Sequence, residues 1–336
     1  MDWKLHLKLR ELYNLSSIMS IKDLSVAYYS FGKYKSALNH VTFDLNTDEV
    51  LGILGESGSG KSTIGWSLLG MIEPPHKIEG EIIFDSKTNV LNASEYRMKK
   101  YRWSKVAMIF QTSMNSFDPL VTVGKNFVQL LIEKGISTDK IQAKKKVIEL
   151  FRHFNLPDMT FNLFPFELSG GMKQRASIAV AISCSPTVLI ADEPTTALDT
   201  VSQFTVIKTL KDLMLNHEIK SMIFITHDVS VQFLMADRII IMLGGRIVED
   251  GKVDEIKNDP KHPYTTYLLA GMLNKEQGNG SKLPLNKIEQ SDLNAEDSCP
   301  FVSICPKMMK VCLESFPKET PISDSHTVFC HLYGGY

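Results

Sequence analysis

A glycine-rich run between a predicted strand and a predicted helix constrains the fold of this chain more than any other feature. The run is Gly-Glu-Ser-Gly-Ser-Gly-Lys-Ser-Thr at residues 55–63. The apolar segment 50–54 before it predicts a buried strand, and residues 62–71 after it predict a helix. Glycines let such a loop curl so that its N–H groups face an anion, and the helix N-terminus adds positive potential. The pattern predicts an α/β fold with a phosphate-binding loop of the Walker A type; a glycine-rich turn without a ligand is the alternative.

The loop also predicts how a nucleotide is held. Lys61 is expected to reach the β- and γ-phosphates, Ser62 to bind Mg²⁺, and Thr63 to add a phosphate contact. The residues predicted to bind ATP in this loop are Gly55, Glu56, Ser57, Gly58, Ser59, Gly60, Lys61, Ser62 and Thr63.

A second acidic motif lies downstream, in the run Val-Leu-Ile-Ala-Asp-Glu at residues 188–193. Its apolar part predicts a buried strand, and Asp192 at the carboxyl end of that strand is placed to enter the Mg²⁺ shell. Glu193 can polarise the attacking water as a general base. An acidic pair that only caps the next helix is the alternative, which a complete phosphate loop upstream disfavours.

Composition excludes some classes of protein. The 336 residues are 43% hydrophobic and 22% charged, which is typical of a globular protein. A net charge of −1 gives no support to nucleic-acid binding. No apolar run approaches the ~18 residues of a membrane span, and the N-terminus lacks a secretory signal pattern, so we expect a cytoplasmic chain that leaves any membrane step to partners.

The spacing of apolar residues in the rest of the chain predicts its strands, helices and linker. Alternating short apolar runs over 21–45, with a turn near Gly32, predict antiparallel strands, and residues 113–167 read as helical and polar. Strands that alternate with helices predict a mostly parallel core. Further strands are predicted at 105–110, 188–191 and 222–226, a glycine-rich hairpin at 243–251 and a linker at 275–297.

Residues 21–270 resemble the nucleotide-binding subunit of an ABC transporter, because the motifs come in that family's order. The segment Leu-Ser-Gly-Gly-Met-Lys-Gln at 168–174 resembles the ABC signature, and its Ser and Gly residues at a helix start can form an anion site. Segment 197–199 resembles the D-loop. The resemblance implies an ABC-type P-loop fold with a mixed sheet core, an antiparallel β subdomain and a helical subdomain.

The same resemblance implies roles for individual residues. Glu193, His227 and Gln111 are the expected catalytic residues, with Mg²⁺ bound through Ser62, Gln111 and Asp192. Tyr28 aligns best as the adenine platform, although Tyr29 and Phe31 are close enough to compete. The residues that would contact ATP of a partner subunit are Leu168, Ser169, Gly170, Gly171 and Gln174, with Asp199 in the D-loop.

Four of the five cysteines lie in the last 38 residues, at Cys299, Cys305, Cys312 and Cys330. Clustered cysteines in a cytosolic chain are more often metal ligands than disulfides, and four thiolates suit Zn²⁺ or a [4Fe–4S] cluster. Cys184 lies in an apolar helix and is predicted to be core.

The tail and the segment His-Pro-Tyr-Thr at 262–265 resemble the oligopeptide/dipeptide/nickel importer subfamily. That resemblance implies an iron–sulfur cluster over zinc or free thiols, in a small Cys-rich C-terminal appendage. It also implies a motor ATPase at the cytoplasmic face of the membrane, with two permeases, an extracytoplasmic solute-binding protein and a second ATPase subunit as partners, and peptides as the solute. Nickel or oligosaccharide uptake would leave the chain much the same.

The predicted domains are an N-terminal extension (1–19), an ATPase domain (20–255, with its helical subdomain at about 113–175) and a C-terminal extension (256–336). The extension at 1–19 is expected to be a frayed tail, a product of a start site placed upstream of Met19, or a short basic amphipathic helix on a lipid surface. A permease-free ABC ATPase acting on DNA or ribosomes is the other functional class. It is disfavoured because only 57 positions separate Gln111 from Leu168, without a sustained heptad repeat.

Overall fold

The computed structural model describes residues 17–111, 117–196, 198–275 and 297–334. The strands in these ranges are β1 (Ser17–Ser30), β2 (Lys33–Asn46), β3 (Val50–Leu54), β4 (His76–Phe84), β5 (Thr88–Asn89), β6 (Val106–Ile109), β7 (Val188–Asp192), β8 (Ser221–Ile225), β9 (Arg238–Leu243), β10 (Arg246–Lys252), β11 (Thr320–Ser323) and β12 (His326–Val328). The α-helices are α1 (Lys61–Leu68), α2 (Glu95–Tyr101), α3 (Val123–Glu133), α4 (Lys140–His153), α5 (Gly170–Ile182), α6 (Thr200–Leu215), α7 (Val229–Met235), α8 (Val253–Asn258), α9 (Pro263–Lys275) and α10 (Val311–Glu314).

The main sheet places the predicted site residues at one edge. Its strand order is β11-β12-β10-β9-β3-β8-β7-β6, and the pairs from β9 to β6 are parallel. Strands β3, β7 and β8 are buried along their whole length, which explains their continuous apolar runs. Because the carboxyl ends of parallel strands meet at the same edge, Gly55, Asp192 and His227 all lie where their strands end.

A second sheet is antiparallel, with the order β2-β1-β4-β5. A two-residue turn joins β1 to β2 through Phe31 and Gly32, both with positive φ (49° and 81°), as a primed hairpin turn requires. The hairpin predicted around Gly32 is therefore present. Strand β1 begins at Ser17 and Met19 is fully buried, so the strand includes the last residues of the predicted N-terminal extension.

The helical region between β6 and β7 contains α3, α4, two 3₁₀ turns (Asp158–Asn162 and Pro165–Glu167) and α5. The Asp139 carboxylate accepts hydrogen bonds from Ile141 N and Gln142 N at the start of α4. Phe127 of α3 and Phe151 of α4 pack edge to face with ring centroids 5.2 Å apart, and both are fully buried. These contacts bind the helices into one apolar core.

The C-terminal residues 297–334 differ from the separate small appendage that the sequence suggests. The hairpin β11–β12 pairs with β10 and continues the main sheet. Glu249 of β10 is fully buried and its Oε1 lies 2.8 Å from Nε2 of His326, which is also buried. A charged carboxylate is tolerated in the interior only with such partners, so this pair fastens the hairpin to the core. Most of the predicted linker lies outside the described residues.

Within the part of the chain that the structure describes, no helix has both the length and the apolar character needed to cross a bilayer.

Candidate active site

The loop between β3 and α1 has the backbone that its glycines predict. Gly60 has φ 101°, and a Cβ there would lie 2.6 Å from the carbonyl oxygen of Ala37. A Cβ at Gly55 would lie 2.3 Å from the carbonyl oxygen of Met242. Both positions exclude a side chain, so glycine is required for strand β2 and the β9–β10 hairpin to pack against the loop.

Lys61 lies at the first position of α1 with its side chain turned back over the loop. Its Nζ donates to the carbonyl oxygens of Gly55 at 2.8 Å and Glu56 at 2.7 Å. Burial lowers the pKa of Lys61, and the carboxylates of Glu193 and Asp192 oppose that shift. An ammonium group has three protons, so this geometry leaves one for a phosphate oxygen.

Asp192 and Ser62 form the predicted magnesium position. Asp192 ends β7, is 3% exposed and receives a hydrogen bond from the Ser62 side chain. Burial raises the pKa of Asp192, and its Oδ1 is buried with no hydrogen-bond partner among the residues that the structure describes. A buried carboxylate oxygen without a donor fits a divalent cation, because hard cations take oxygen ligands.

Gln111 lies just beyond β6 and joins Ser62 and Asp192 in the lining of one cavity of about 460 Å³. The other walls are largely apolar and include the stacked rings of Trp66 and Phe110, whose centroids are 5.1 Å apart. The predicted Mg²⁺ ligands therefore open into an apolar cleft beside the helical region.

The predicted catalytic pair is in direct contact. Nδ1 of His227 lies 2.8 Å from Oε1 of Glu193, and the Thr196 hydroxyl donates to Oε2 of Glu193 at 2.5 Å. Burial raises the pKa of Glu193, but the hydrogen bonds from Thr196 and His227 outweigh it and hold the pKa below its usual value. Glu193 is therefore ionised at neutral pH, the state in which a general base accepts a proton.

The signature segment forms the start of α5. Ser169 is the N-cap, and its Oγ accepts from Met172 N at 3.3 Å. Ser169 and Gly170 are exposed, whereas Leu168 and Gln174 are buried. A Cβ on Gly171 would lie 3.2 Å from Oγ of Ser202 in α6.

The D-loop is adjacent to that helix in space. Asp199 caps α6 by accepting hydrogen bonds from Val201 N and Ser202 N, and the Ser202 hydroxyl donates to its other oxygen at 2.6 Å. These hydrogen bonds lower the pKa of Asp199. Ala197 lies outside the described residues.

Tyr28 is half-buried and packs against the core shared by the two sheets. Tyr29 is 47% exposed and Phe31 is fully exposed at the hairpin tip. The adenine platform at Tyr28 stays a prediction.

Cys299, Cys305, Cys312 and Cys330 line one small cavity, together with His262 and His331. Burial raises the pKa of Cys299 to about 12 and that of Cys330 to about 11. None of the four forms a disulfide with another described residue, and no group of three or more His, Cys, Asp or Glu residues in the described ranges is arranged to hold a metal ion. The predicted metal centre is therefore not preformed, although its four cysteines face the same space. Cys184 is buried in the core, as expected.

Two residues that contact predicted site residues were given no role in the site from the sequence. Thr196 holds Glu193, and a hydroxyl three residues after the acidic pair is a local signal that could have identified it. Tyr264 contacts Glu56 in the phosphate loop across 208 positions, and such a distant contact leaves no signal in a single sequence.

Comparisons with known proteins agree on the family. Residues 38–196 match the family described as ABC transporter, and residues 248–312 match the one described as Oligopeptide/dipeptide transporter, C-terminal region. The chain is 38% identical to the oligopeptide transport ATP-binding protein OppD of Bacillus subtilis, over 94% of this chain and 89% of OppD. It is 36% identical to the dipeptide transport ATP-binding protein DppD of the same organism, over 95% of each chain.

A solved structure shares the fold. It is the ATP-binding cassette MJ0796, a dimer in a post-hydrolysis state bound to ADP and phosphate, with 29% identity and a TM-score of 0.63. The match covers 70% of this chain and 98% of that cassette.

Proposed function

This chain belongs to the ABC transporter family, among the oligopeptide and dipeptide transport ATP-binding proteins, and from that membership we propose how its residues act. It is an ATPase, the motor subunit of a peptide importer. One observation supports these roles above all. Ser62, Asp192, Glu193 and His227 lie together at the carboxyl ends of the parallel strands of one sheet.

The phosphate loop binds the nucleotide through its N–H groups and Lys61. Ser62, Asp192 and Gln111 would hold Mg²⁺. The bound ion would neutralise part of the negative charge of the phosphates. Water attacks the γ-phosphorus, the bond to the bridging oxygen of ADP breaks, and the water proton passes to the Glu193 carboxylate. His227 keeps that carboxylate in place through Nδ1, and its other ring nitrogen, Nε2, would contact the γ-phosphate.

Replacement of Glu193 by Gln tests this assignment. The amide keeps the shape but accepts no proton, so we expect ATP turnover in the assembled transporter to fall at least about 100-fold while ATP binding persists. The exposed Glu79 on β4 provides the matched control, Glu79→Gln, which should turn over normally. A Glu193→Gln variant with normal turnover would remove Glu193 from the role of general base.

Two surfaces of the chain, the start of α5 and the cleft beside Gln111, support the partners that we propose. Ser169 and Gly170 are exposed at the start of α5, where they can reach ATP held by a second ATPase subunit. The apolar cleft beside Gln111 is suited to a permease segment that senses the nucleotide. We assign two permeases and an extracytoplasmic solute-binding protein to the complex, with this chain peripheral at the cytoplasmic face.

Purification of the chain from gently solubilised membranes, followed by mass spectrometry, tests those partners. Recovery of two permeases, a solute-binding protein and a related ATPase supports the assignment. Recovery from the soluble fraction with ribosomal or DNA-repair proteins favours the permease-free class. The binding protein, once identified, is screened against peptides, nickel and oligosaccharides.

The four-cysteine cavity is the proposed site of an iron–sulfur cluster. Four thiols that line one space supply a cluster's ligand number, and their spacing lacks the Cys-x₂-Cys pair of most structural zinc sites. Binding requires the side chains to close in on the cluster.

Iron and zinc content after anaerobic purification tests that proposal. Stoichiometric iron with a visible absorbance band that bleaches on reduction supports a cluster, and the band should vanish in Cys305→Ser but persist in Cys184→Ser. Stoichiometric zinc, or neither metal, would overturn it.

A further inference from the structure

The side chain of Tyr264 connects the C-terminal region to the phosphate loop. Tyr264 lies at the start of α9 and is 1% exposed. Its hydroxyl oxygen accepts a hydrogen bond from the N–H of Glu56 at 3.1 Å. The carbonyl of the same peptide unit, that of Gly55, accepts from Nζ of Lys61 at 2.8 Å. In a trans peptide the N–H and C=O point in opposite directions, so Tyr264 and Lys61 hold this unit from opposite sides.

Tyr264 is itself fixed by neighbours that the ATP site does not use. Its N–H donates to Nδ1 of His262 at 3.0 Å, and His262 N donates to Oε2 of Glu249 at 2.9 Å. Burial lowers the pKa of His262 to about 4, so the ring is neutral and Nδ1 remains an acceptor at neutral pH. The Tyr264 ring packs edge to face on Phe301, with centroids 5.5 Å apart. Phe301 is 2% exposed and lies two residues after Cys299.

The C-terminal segment that contains Phe301 also lies near the second end of the phosphate loop, at Ser59. A Cβ on Gly244, in the β9–β10 turn, would lie 2.9 Å from Cβ of Pro300. The next residue, Gly245, donates its N–H to the carbonyl oxygen of Ser59 at 3.1 Å. Residues 300 and 301 therefore support contacts to both ends of the phosphate loop, at Glu56 and at Ser59.

We propose that Tyr264 is a positioning residue for ATP binding, which orients the Gly55–Glu56 peptide and through it Lys61, and that Phe301 holds Tyr264 in place. This gives the His-Pro-Tyr-Thr segment a role in nucleotide affinity. The inference rests on the proposed ATPase function, because it concerns how the same loop is held.

The Tyr264→Phe variant isolates the hydroxyl, because it keeps the ring and its packing on Phe301. Loss of one hydrogen bond that fixes the loop should raise KM for ATP roughly 3- to 10-fold, while kcat stays within about twofold. The matched control is Tyr267→Phe. Tyr267 lies on the same helix and its ring also contacts Phe301, with centroids 6.2 Å apart. In the assembled transporter, the KM of the Tyr267→Phe variant for ATP should match that of the wild-type chain.

A purely structural role predicts a different result. In that case Tyr264→Phe lowers the melting temperature and leaves KM unchanged, which overturns the proposal. An equal rise of KM in Tyr267→Phe also overturns it, because the effect would then come from general loosening of α9.

A second variant tests the link to the C-terminal segment without altering the loop or Tyr264. Phe301→Leu should raise KM for ATP, and its combination with Tyr264→Phe should raise KM by less than the product of the two single effects, since both act through one hydrogen bond. Fully multiplicative effects would refute the link. A wild-type transporter that neither binds nor hydrolyses ATP would instead overturn the proposed function, so the two failures are distinguishable.

Discussion

Replacement of Glu249 by Gln should destabilise the protein strongly, because Glu249 is the fully buried point at which three parts of the chain meet. Its Oε1 accepts from Lys261 N at 2.7 Å and contacts Nε2 of His326 at 2.8 Å. Its Oε2 accepts from His262 N at 2.9 Å. The carboxylate thus joins β10 to the residues before α9 and to β12.

The size of the effect follows from the donors that Gln cannot satisfy. Gln has nearly the same volume, so no cavity forms, but one carboxylate oxygen becomes an NH₂ group that faces an N–H donor. A hydrogen bond to a charged group contributes about 1.5–3 kcal/mol, and a buried donor left unpaired costs about 1–3 kcal/mol more. We therefore expect Glu249→Gln to lower the free energy of unfolding by about 3–5 kcal/mol, from one lost hydrogen bond and one buried donor left unpaired.

Urea titration followed by circular dichroism measures this change. The control is Asp158→Asn, which removes the partner of Arg152 from an ion pair whose side chains are 51% and 65% exposed. An exposed pair contributes little to stability, because water and salt screen the two charges. If Glu249→Gln cost no more than Asp158→Asn, the argument that Glu249 fastens the C-terminal residues to the core would be refuted.

Two further predictions concern the site. Asp192→Asn should raise the free Mg²⁺ concentration needed for half-maximal ATPase activity at least tenfold, because the unpartnered Oδ1 loses its charge; an unchanged Mg²⁺ titration would contradict the proposed ligand. Thr196→Val removes a hydrogen bond that lowers the pKa of Glu193, and the base acts only above its pKa, so the acid limb of the kcat profile should move to higher pH. A limb that stays in place would show that Glu193 does not control it.

Features set by local patterns could be predicted from the sequence. The strand–loop–helix at 50–68 and the buried strand ending at Asp192 follow from apolar runs next to glycine or acidic residues. The position of Gln111, Asp192 and Ser62 around one cavity also follows, because parallel strands align their carboxyl ends. His227 could be placed beside Glu193 by the same rule, since β7 and β8 are neighbours.

Features set by contacts between distant segments could not be predicted. The sequence places the cysteines in a separate appendage, whereas β12 pairs with β10 and extends the core sheet. Glu249 and His326, which are in contact where these strands pair, are 77 positions apart and form no local motif. The Tyr264–Glu56 hydrogen bond is hidden for the same reason, since periodicity reports which face a residue occupies and not which distant group it meets.

The two helix starts of the proposed ATP site differ in their exposure, and this difference is the reason for proposing a second ATPase subunit. The first helix after the phosphate loop, α1, begins at Lys61, and the loop N–H groups and Lys61 are the groups that we propose to bind this chain's own nucleotide. At the start of α5, by contrast, Ser169 and Gly170 are exposed to solvent, and Ser169 already caps one backbone N–H through its Oγ. An exposed helix start attracts anions, because the N-terminus of a helix carries partial positive charge. In the proposed pair of ATPase subunits, the α5 start of each subunit would complete the nucleotide site of the other.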